Sequence, residues 1–559
     1  MSKLQFLPLA GVLVCAAACA PPAQAQVPPL AQTPHLEERG QARQLIVDGK
    51  PFLMLGGELS NTISSDPEAM KTVWPMLARD LHLNTVLTGI AWDWIEPEEG
   101  KFDFRFVDDA IRSARLYDLR LVLLWFGSWK NGLSSFAPAW VKADQGRFPR
   151  AKIRDGKTIE ILSTFSDANR DADARAFAAL LRHVRETDTT HRVILVQVEN
   201  EVGILGDARD RSAAADRAFA QSVPKELTDY LAQRDGALLP EFRAVWKTAG
   251  GKTAGTWAEV FGTGAKAEEI FQGWHYARYV NAVADAGKRE YDLPMYVNAW
   301  IIQPQDKEPG DYPSGGPQAH MHDVWRAGAP RIDLLCPDIY LPDFAGITTL
   351  YTRAGNALFV PESFGGAQGV ANAFFAIGNH AALGYSPFGI DRTRPREGEA
   401  NPLGEAYAIL GKMAPAILDA QTRGAIAAAA LNHAHPSVEI ALGGYTLHVT
   451  LSRSFRTPDA IPNVTGYGLF LAAGPDEFLM AGDHLQISFT PATPGRRIAS
   501  IARQEAGHFE SGQWVTTRLL GGDDSVLRYD FAKIVETDQS GSGVRLTGGM
   551  QKVKLYRYE

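Results

Sequence analysis

Cysteine is nearly absent from this chain. Of 559 residues three are cysteines, and two of them, Cys15 and Cys19, fall within the first 25 positions. Beyond that stretch only Cys336 remains, so no intrachain disulfide can form. Its setting in "IDLLCPDIY", with no histidine beside it, reads as an inert buried thiol and not as a nucleophile. Blocks of Lys and Arg are also missing, and the formal net charge is -8. A surface that tracks phosphates needs concentrated positive charge, so nucleic acid is not an expected partner. The one N-terminal apolar run is short and Ala-rich, and no transmembrane segment is expected in the mature chain. No HExxH, phosphate-cradling GxxxxGK or G-x-S-x-G occurs in its required context. "AHMHD" sets His320, His322 and Asp323 close together, but His-x-His needs a third ligand from elsewhere, so neither a metal nor a cofactor is expected.

What is present begins with an export pattern. Lys3 precedes the apolar stretch, and Ala23-Gln24-Ala25 forms a small-residue cleavage site. Residues 1–25 are therefore expected to be a signal peptide and 26–44, with Pro28, Pro29 and Pro34, a leader. The expected location is periplasmic or secreted; the alternative is an outer-membrane lipoprotein anchored through Cys15 or Cys19. With 45% hydrophobic residues, the remainder can fill a large core and more than one domain.

Short apolar runs then recur with helical patterns between them: "PFLMLGGEL" (51–59), "LNTVLTGI" (83–90), "LRLVLLWFGSW" (119–129), "RVILVQVENE" (192–201), "PMYVNAWI" (294–301), "IDLLCPDIY" (332–340), "LFVPESFGG" (358–366) and "ALGYSPFGI" (382–390). Near-continuous apolar strands are buried on both faces, which requires covering helices. One of these, 66–81, opens with Asp66 as N-cap and Pro67 at the first helical position. Eight such repeats predict a (β/α)8 TIM barrel over 45–420, with a helical insertion at about 204–290. An open doubly wound sheet is disfavoured because no dinucleotide glycine pattern follows the first strand. From 421 to 559, short strand patterns broken by Gly, Pro, Asp and Asn predict an antiparallel, sandwich-like β domain.

Each apolar run ends in polar or aromatic residues. In a barrel those ends open on one face, so Glu58, Trp92, Trp125, Trp129, Asn200, Glu201, Asn298, Trp300, Tyr340 and Glu362 should converge. Glu201 and Glu362 follow the fourth and seventh strands, which face each other across the mouth, and two opposed carboxyls are the minimum equipment for glycosidic cleavage. Tyr340 is placed to hydrogen-bond Glu362 and keep it a carboxylate nucleophile, leaving Glu201 as acid/base. Asn200 can donate to the hydroxyl next to the reacting carbon. The four tryptophans offer faces to a sugar ring, with one or two expected to touch it. Glu199 is expected to be a structural partner for a nearby Arg or backbone group.

At "VQVENEVG" and "FVPESFGG" the chain resembles the retaining barrel glycosidases and, within them, glycoside hydrolase family 35, the β-galactosidases. The resemblance covers most of 45–415, and it implies Glu201 as acid/base, Asn200 as hydroxyl ligand and Glu362 as nucleophile. One segment, "AWDWIEPEEGKFDF" (91–104), is worded more like family 42 galactosidases. The function so implied is an exo-acting, retaining β-galactosidase acting on terminal β-galactosyl residues of oligosaccharides or plant-wall glycans. The alternatives are another specificity on the same machinery (β-glucosidase, arabinosidase, endo-glucanase or mannanase) and a non-catalytic carbohydrate-binding protein. No pattern in the chain speaks to oligomeric state.

Overall fold

The computed structural model describes residues 1–2, 32–393, 401–453, 460–493, 498–526, 529–530, 535–536 and 542–558. The signal-peptide and lipidation expectations therefore lie outside the described residues, apart from the first two. Among the described residues no helix is long and apolar enough to cross a membrane.

Eight parallel strands close into a barrel in chain order: β1 (Met54–Glu58), β2 (Thr85–Ala91), β3 (Arg120–Phe126), β4 (Val193–Val198), β5 (Met295–Trp300), β6 (Leu334–Ile339), β7 (Val360–Ser363) and β8 (Gly384–Pro387). All are buried along nearly their whole length, which is why their sequences are apolar without alternation. The covering helices start where local chemistry permits. Asp66 caps Pro67–Pro75 by accepting from the N–H groups of Glu68 and Ala69, both at 3.1 Å, and Pro67 sits where a missing N–H costs nothing. The last barrel helix, Pro402–Arg423, ends at Gly424 with φ 61°, a left-handed position that only glycine adopts cheaply.

Two boundaries differ from expectation. Residues 26–44 are not simply a leader: His35–Arg39 and Ala42–Val47 form an antiparallel hairpin that Lys50–Phe52 extends to three strands. Leu45 and Val47 pack with Met54, Leu87, Tyr296 and Cys336 in the barrel's interior core. The hairpin thus plugs the barrel, and the run 51–59 divides between plug and β1. The insertion at 204–290 is shorter than expected as well. Helices Ala213–Phe219, Lys225–Arg234, Pro240–Thr248 and Trp257–Phe261 are inserted, whereas Ala265–Glu290 packs along Asp167–Thr187 as a barrel helix.

The C-terminal strands form a six-stranded and a five-stranded antiparallel sheet that share one core, with Leu447, Val449 and Ile487 meeting Phe470, Met480 and Val553. The larger sheet also packs on the barrel helix Gly366–His380. Asn379 clasps both backbone groups of Ala428, at 2.8 and 3.1 Å, and Phe374 meets Tyr467 with ring centroids 4.8 Å apart.

Candidate active site

The site is built at the carboxyl ends of the strands. Beyond β4 the chain turns sharply: Glu199 and Glu201 adopt φ of 63° and 47°, left-handed conformations that cost non-glycine residues roughly 1–2 kcal/mol each. That strain is held by contacts on both sides. The N–H of Glu201 donates to Asn298 Oδ1 at 3.0 Å, and the N–H of Asn200 to the carbonyl of Trp129 at 3.2 Å. Across the mouth, Glu362 is the lateral partner of Asp338, which is in turn the partner of Trp300.

Carboxyl oxygens of Glu201, Asp338 and Glu362 lie within 4.8 Å of one another. So close an approach of Glu201 and Glu362 fits the roughly 5–5.5 Å pair that forms a covalent glycosyl intermediate better than the gap of about 6.5–9.5 Å that an inverting pair leaves for water. Tyr340 donates its hydroxyl to Glu362 Oε2 at 3.0 Å. Asn131 donates its amide to Glu201 Oε2, and the carboxyl of Asp338 also faces Glu201.

Glu58, buried at the end of β1, completes a group of four acids in the field of one cation, Lys130. They cannot all be ionised. Burial, and after it the charge of Glu362, hold the carboxyls of Glu58 and Asp338 well above the usual range. The same two causes push Glu201 up to about 7, against the lowering pull of Lys130, Asp338 and Asn131. Glu201 therefore keeps a proton near neutrality but can release it, as a general acid must.

The remaining expected residues divide sharply. Asn200 leaves its Nδ2 without a protein partner, a free donor in the site. Both carboxyl oxygens of Glu58 are likewise unpartnered. Asn298 has its Oδ1 on the Glu201 N–H, and one amide hydrogen goes to Asp338 Oδ2 at 2.6 Å, so it holds the acids in place more than it faces a ligand. Three tryptophans are not sugar platforms. Trp92, Trp125 and Trp129 are fully buried, with indole N–H groups spent on Glu96 Oε2, Asp173 Oδ1 and the carbonyl of Leu162 at 3.0, 2.8 and 3.1 Å. Their apolar bodies found more area in the core than at the rim. Of the four only Trp300 is open, at 37% exposure.

Lys130 and Asn131 are site residues that the strand-end pattern does not name, and Asp338 joins Glu201 and Glu362 from the end of β6. The first two directly follow Trp129 in the loop after β3, and that adjacency to a strand end was the available signal. The "AHMHD" residues make no common centre: His320 pairs with Glu269 at 3.0 Å, while Asp323 accepts from Tyr230 and from the N–H of Leu239.

Behind the site lies a second carboxyl pair. Asp173 Oδ1 accepts from Trp125 Nε1 at 2.8 Å, and its Oδ2 accepts from the Ser128 N–H and hydroxyl at 3.1 and 2.6 Å. Three donors favour the ionised form of Asp173, against the burial that raises its carboxyl. Glu199 accepts the N–H of Trp129, at 2.8 Å on Oε2, and its other oxygen faces Asp173. Burial, and after it the charge of Asp173, hold the Glu199 carboxyl well above its usual range, which makes Glu199 the protonated partner facing Asp173. It pairs with a backbone group, one of the two partner kinds expected, and with an aspartic acid in place of an arginine. Gly127 makes this possible, since a Cβ there would meet Trp125 Nε1 at 2.3 Å, Glu199 Oε1 at 2.8 Å and Asp173 Oδ1 at 2.9 Å.

Comparison with known proteins bears on the same region. The glycoside hydrolase family 42 model, described as beta-galactosidase, matches residues 67–281. That finding corrects the resemblance to family 35, and the family 42 wording at 91–104 lies inside the match. A family described as a domain of unknown function, DUF5597, matches residues 403–531. A beta-galactosidase of Xanthomonas manihotis is 32% identical over 174 residues, covering 30% of this chain and 26% of that protein. Beta-galactosidase 8 of Oryza sativa subsp. japonica is 30% identical over 168 residues, covering 29% and 23%. The chain thus spans about a quarter of the length of these curated relatives. Among solved structures, the beta-galactosidase of Bacillus circulans sp. alkalophilus superposes with a TM-score of 0.44 at 16% identity, covering 66% of this chain and 57% of that one. The catalytic domain of a beta-amylase from Paenibacillus polymyxa gives 0.45 at 13% identity, covering 64% and 98%.

Proposed function

We propose that this protein is an exo-acting, retaining β-galactosidase that removes terminal β-galactosyl residues from oligosaccharides or glycans by double displacement. The observation that carries the mechanism is the approach of the Glu201 and Glu362 carboxyls to within 4.8 Å at one mouth. Galactose as the sugar rests on the beta-galactosidase model over residues 67–281 and on the two relatives of that name.

In the first half-reaction the Glu362 carboxylate, oriented by Tyr340, attacks the anomeric carbon while Glu201 gives its proton to the departing glycosidic oxygen. The sugar is then an α-linked ester of Glu362. Esterification removes the Glu362 charge, the second cause of the raised Glu201 value, so Glu201 becomes a stronger acid and stays ionised. It then takes a proton from water as that water attacks the same carbon, releasing β-galactose and restoring both residues. Asn200 donates its free amide to the 2-hydroxyl, a bond that tightens as the ring gains oxocarbenium character.

Proton NMR of the earliest product tests this reading. The β-anomer of galactose is expected first, and initial α-anomer overturns it. Export to the periplasm or medium belongs to the same proposal, supported by the N-terminal pattern; fractionation of the native host that leaves the enzyme in the cytosol overturns that part.

A further inference from the structure

Large apolar side chains are rarely exposed on this protein, and two that are stand beside the paired carboxyls. Trp300, the last residue of β5, is 37% exposed, and Phe364, two positions beyond Glu362, is 49% exposed. Their placement follows from register. Trp300, Asp338 and Glu362 are lateral neighbours on three adjacent strands, so Trp300 leaves the sheet on the side the two acids face, about 10 Å in backbone spacing from Glu362. It is also close to the acid/base, because Asn298, which shares its facing, accepts from the Glu201 N–H. Phe364 rests edge-on against Tyr340 with centroids 5.2 Å apart, and Tyr340 is the donor to Glu362.

The Trp300 ring has no aromatic partner among the described residues that would explain its position. The carbonyl of Trp300 is pinned by Gln318 Nε2 at 2.6 Å, whereas its indole N–H meets no acceptor among the described residues. A fixed backbone carrying an open ring is a preorganised contact surface. In a double displacement the leaving group departs on the side of the acid that protonates it, which places the open face of Trp300 along the exit path of the aglycone and not under the reacting sugar.

Building on the β-galactosidase reading, we propose that Trp300, with Phe364 as its second wall, is an aglycone-binding platform that packs against the C–H face of a pyranose leaving group. The preferred substrate class is then galactose attached to another sugar, and the platform acts on binding of the sugar chain, not on bond cleavage itself.

The test compares a β-galactosyl disaccharide, lactose, with β-galactosyl fluoride, whose leaving group is too small to reach the platform. W300A is expected to lower kcat/KM for lactose about tenfold, equivalent to uncovering roughly 55 Å² of ring face. The fluoride, which also reports that the variant is folded, should change by less than about twofold. F364A should act in the same direction more weakly, and W300F should restore most of the lactose activity. Equal losses on both substrates, or no loss on lactose, overturn the platform. Failure of the wild-type enzyme to release galactose from the fluoride overturns the glycosidase reading itself, and the platform with it.

Discussion

Asp173 and Glu199 are both buried carboxyls in one network, yet replacing each by its amide should have opposite consequences. Glutamine at 199 reproduces a protonated acid: its Nε2 donates to Asp173 Oδ1, and its oxygen still accepts the Trp129 N–H that Glu199 holds at 2.8 Å. No hydrogen bond is lost, so E199Q should cost under about 1 kcal/mol. Asparagine at 173 has no such escape. Turned one way its amide confronts Trp125 Nε1, and turned the other it confronts the Ser128 N–H. Either way one buried N–H is orphaned and a charge-assisted bond disappears, which should destabilise by about 2–4 kcal/mol. The damage should reach activity, because the segment 128–131 carries Lys130 and Asn131 to Glu201. Urea unfolding at neutral pH with kcat/KM on an aryl β-galactoside reads both effects. Equal destabilisation by E199Q and D173N, or a milder D173N, refutes the assignment of the proton to Glu199.

Four further outcomes follow from the structure. The acid form of Glu201 drives the first half-reaction, so kcat/KM should fall as pH rises through about 7. Lys130 lowers that value, so K130M should move this alkaline limb to higher pH; a shift to lower pH contradicts the electrostatics. Folded Glu201 holds its proton more tightly than an unfolded glutamate near 4.5, up to about 7. Wild-type stability relative to E201Q should therefore decline as pH rises between those values and stay level above them, the variant gaining about 3 kcal/mol at alkaline pH; thermal melts across that range check it. Truncation after Gly424 should give insoluble protein, since it uncovers Phe374 and Ile377, both fully buried, and strands the Asn379 side chain; soluble, active product would make the β domain a dispensable module.

The barrel was legible because strands buried on both faces must be apolar throughout, and helices must then separate them. The plug was not, since "HLEER" is charged and "ARQLIV" offers only a three-residue apolar run, and their antiparallel pairing with each other makes them strands. Among site residues, Glu201, Glu362, Tyr340 and Asn200 could be placed because a carboxyl, phenol or amide at the end of a buried strand has few places to point. Tryptophan carries no such instruction. Trp92, Trp125 and Trp129 satisfy a core as readily as a rim, and only coordinates show that Asp173 and Glu96 claim two of their indoles. Asp338 stands at a strand end in the sequence, but its retained proton depends on burial and on the crowding of Glu362, Glu201 and Glu58, residues from separate strands that barrel closure brings together.

The central claim is that Glu362 becomes covalently bonded to the sugar. Incubation with a 2-deoxy-2-fluoro-β-galactosyl donor bearing an activated leaving group, followed by peptic digestion and mass spectrometry, reads that bond directly. The account predicts one fluorogalactosyl group on the peptide containing Glu362, released on transfer to an acceptor. Label on Glu201, on Glu58, or on no residue despite steady turnover of the unmodified galactoside contradicts it.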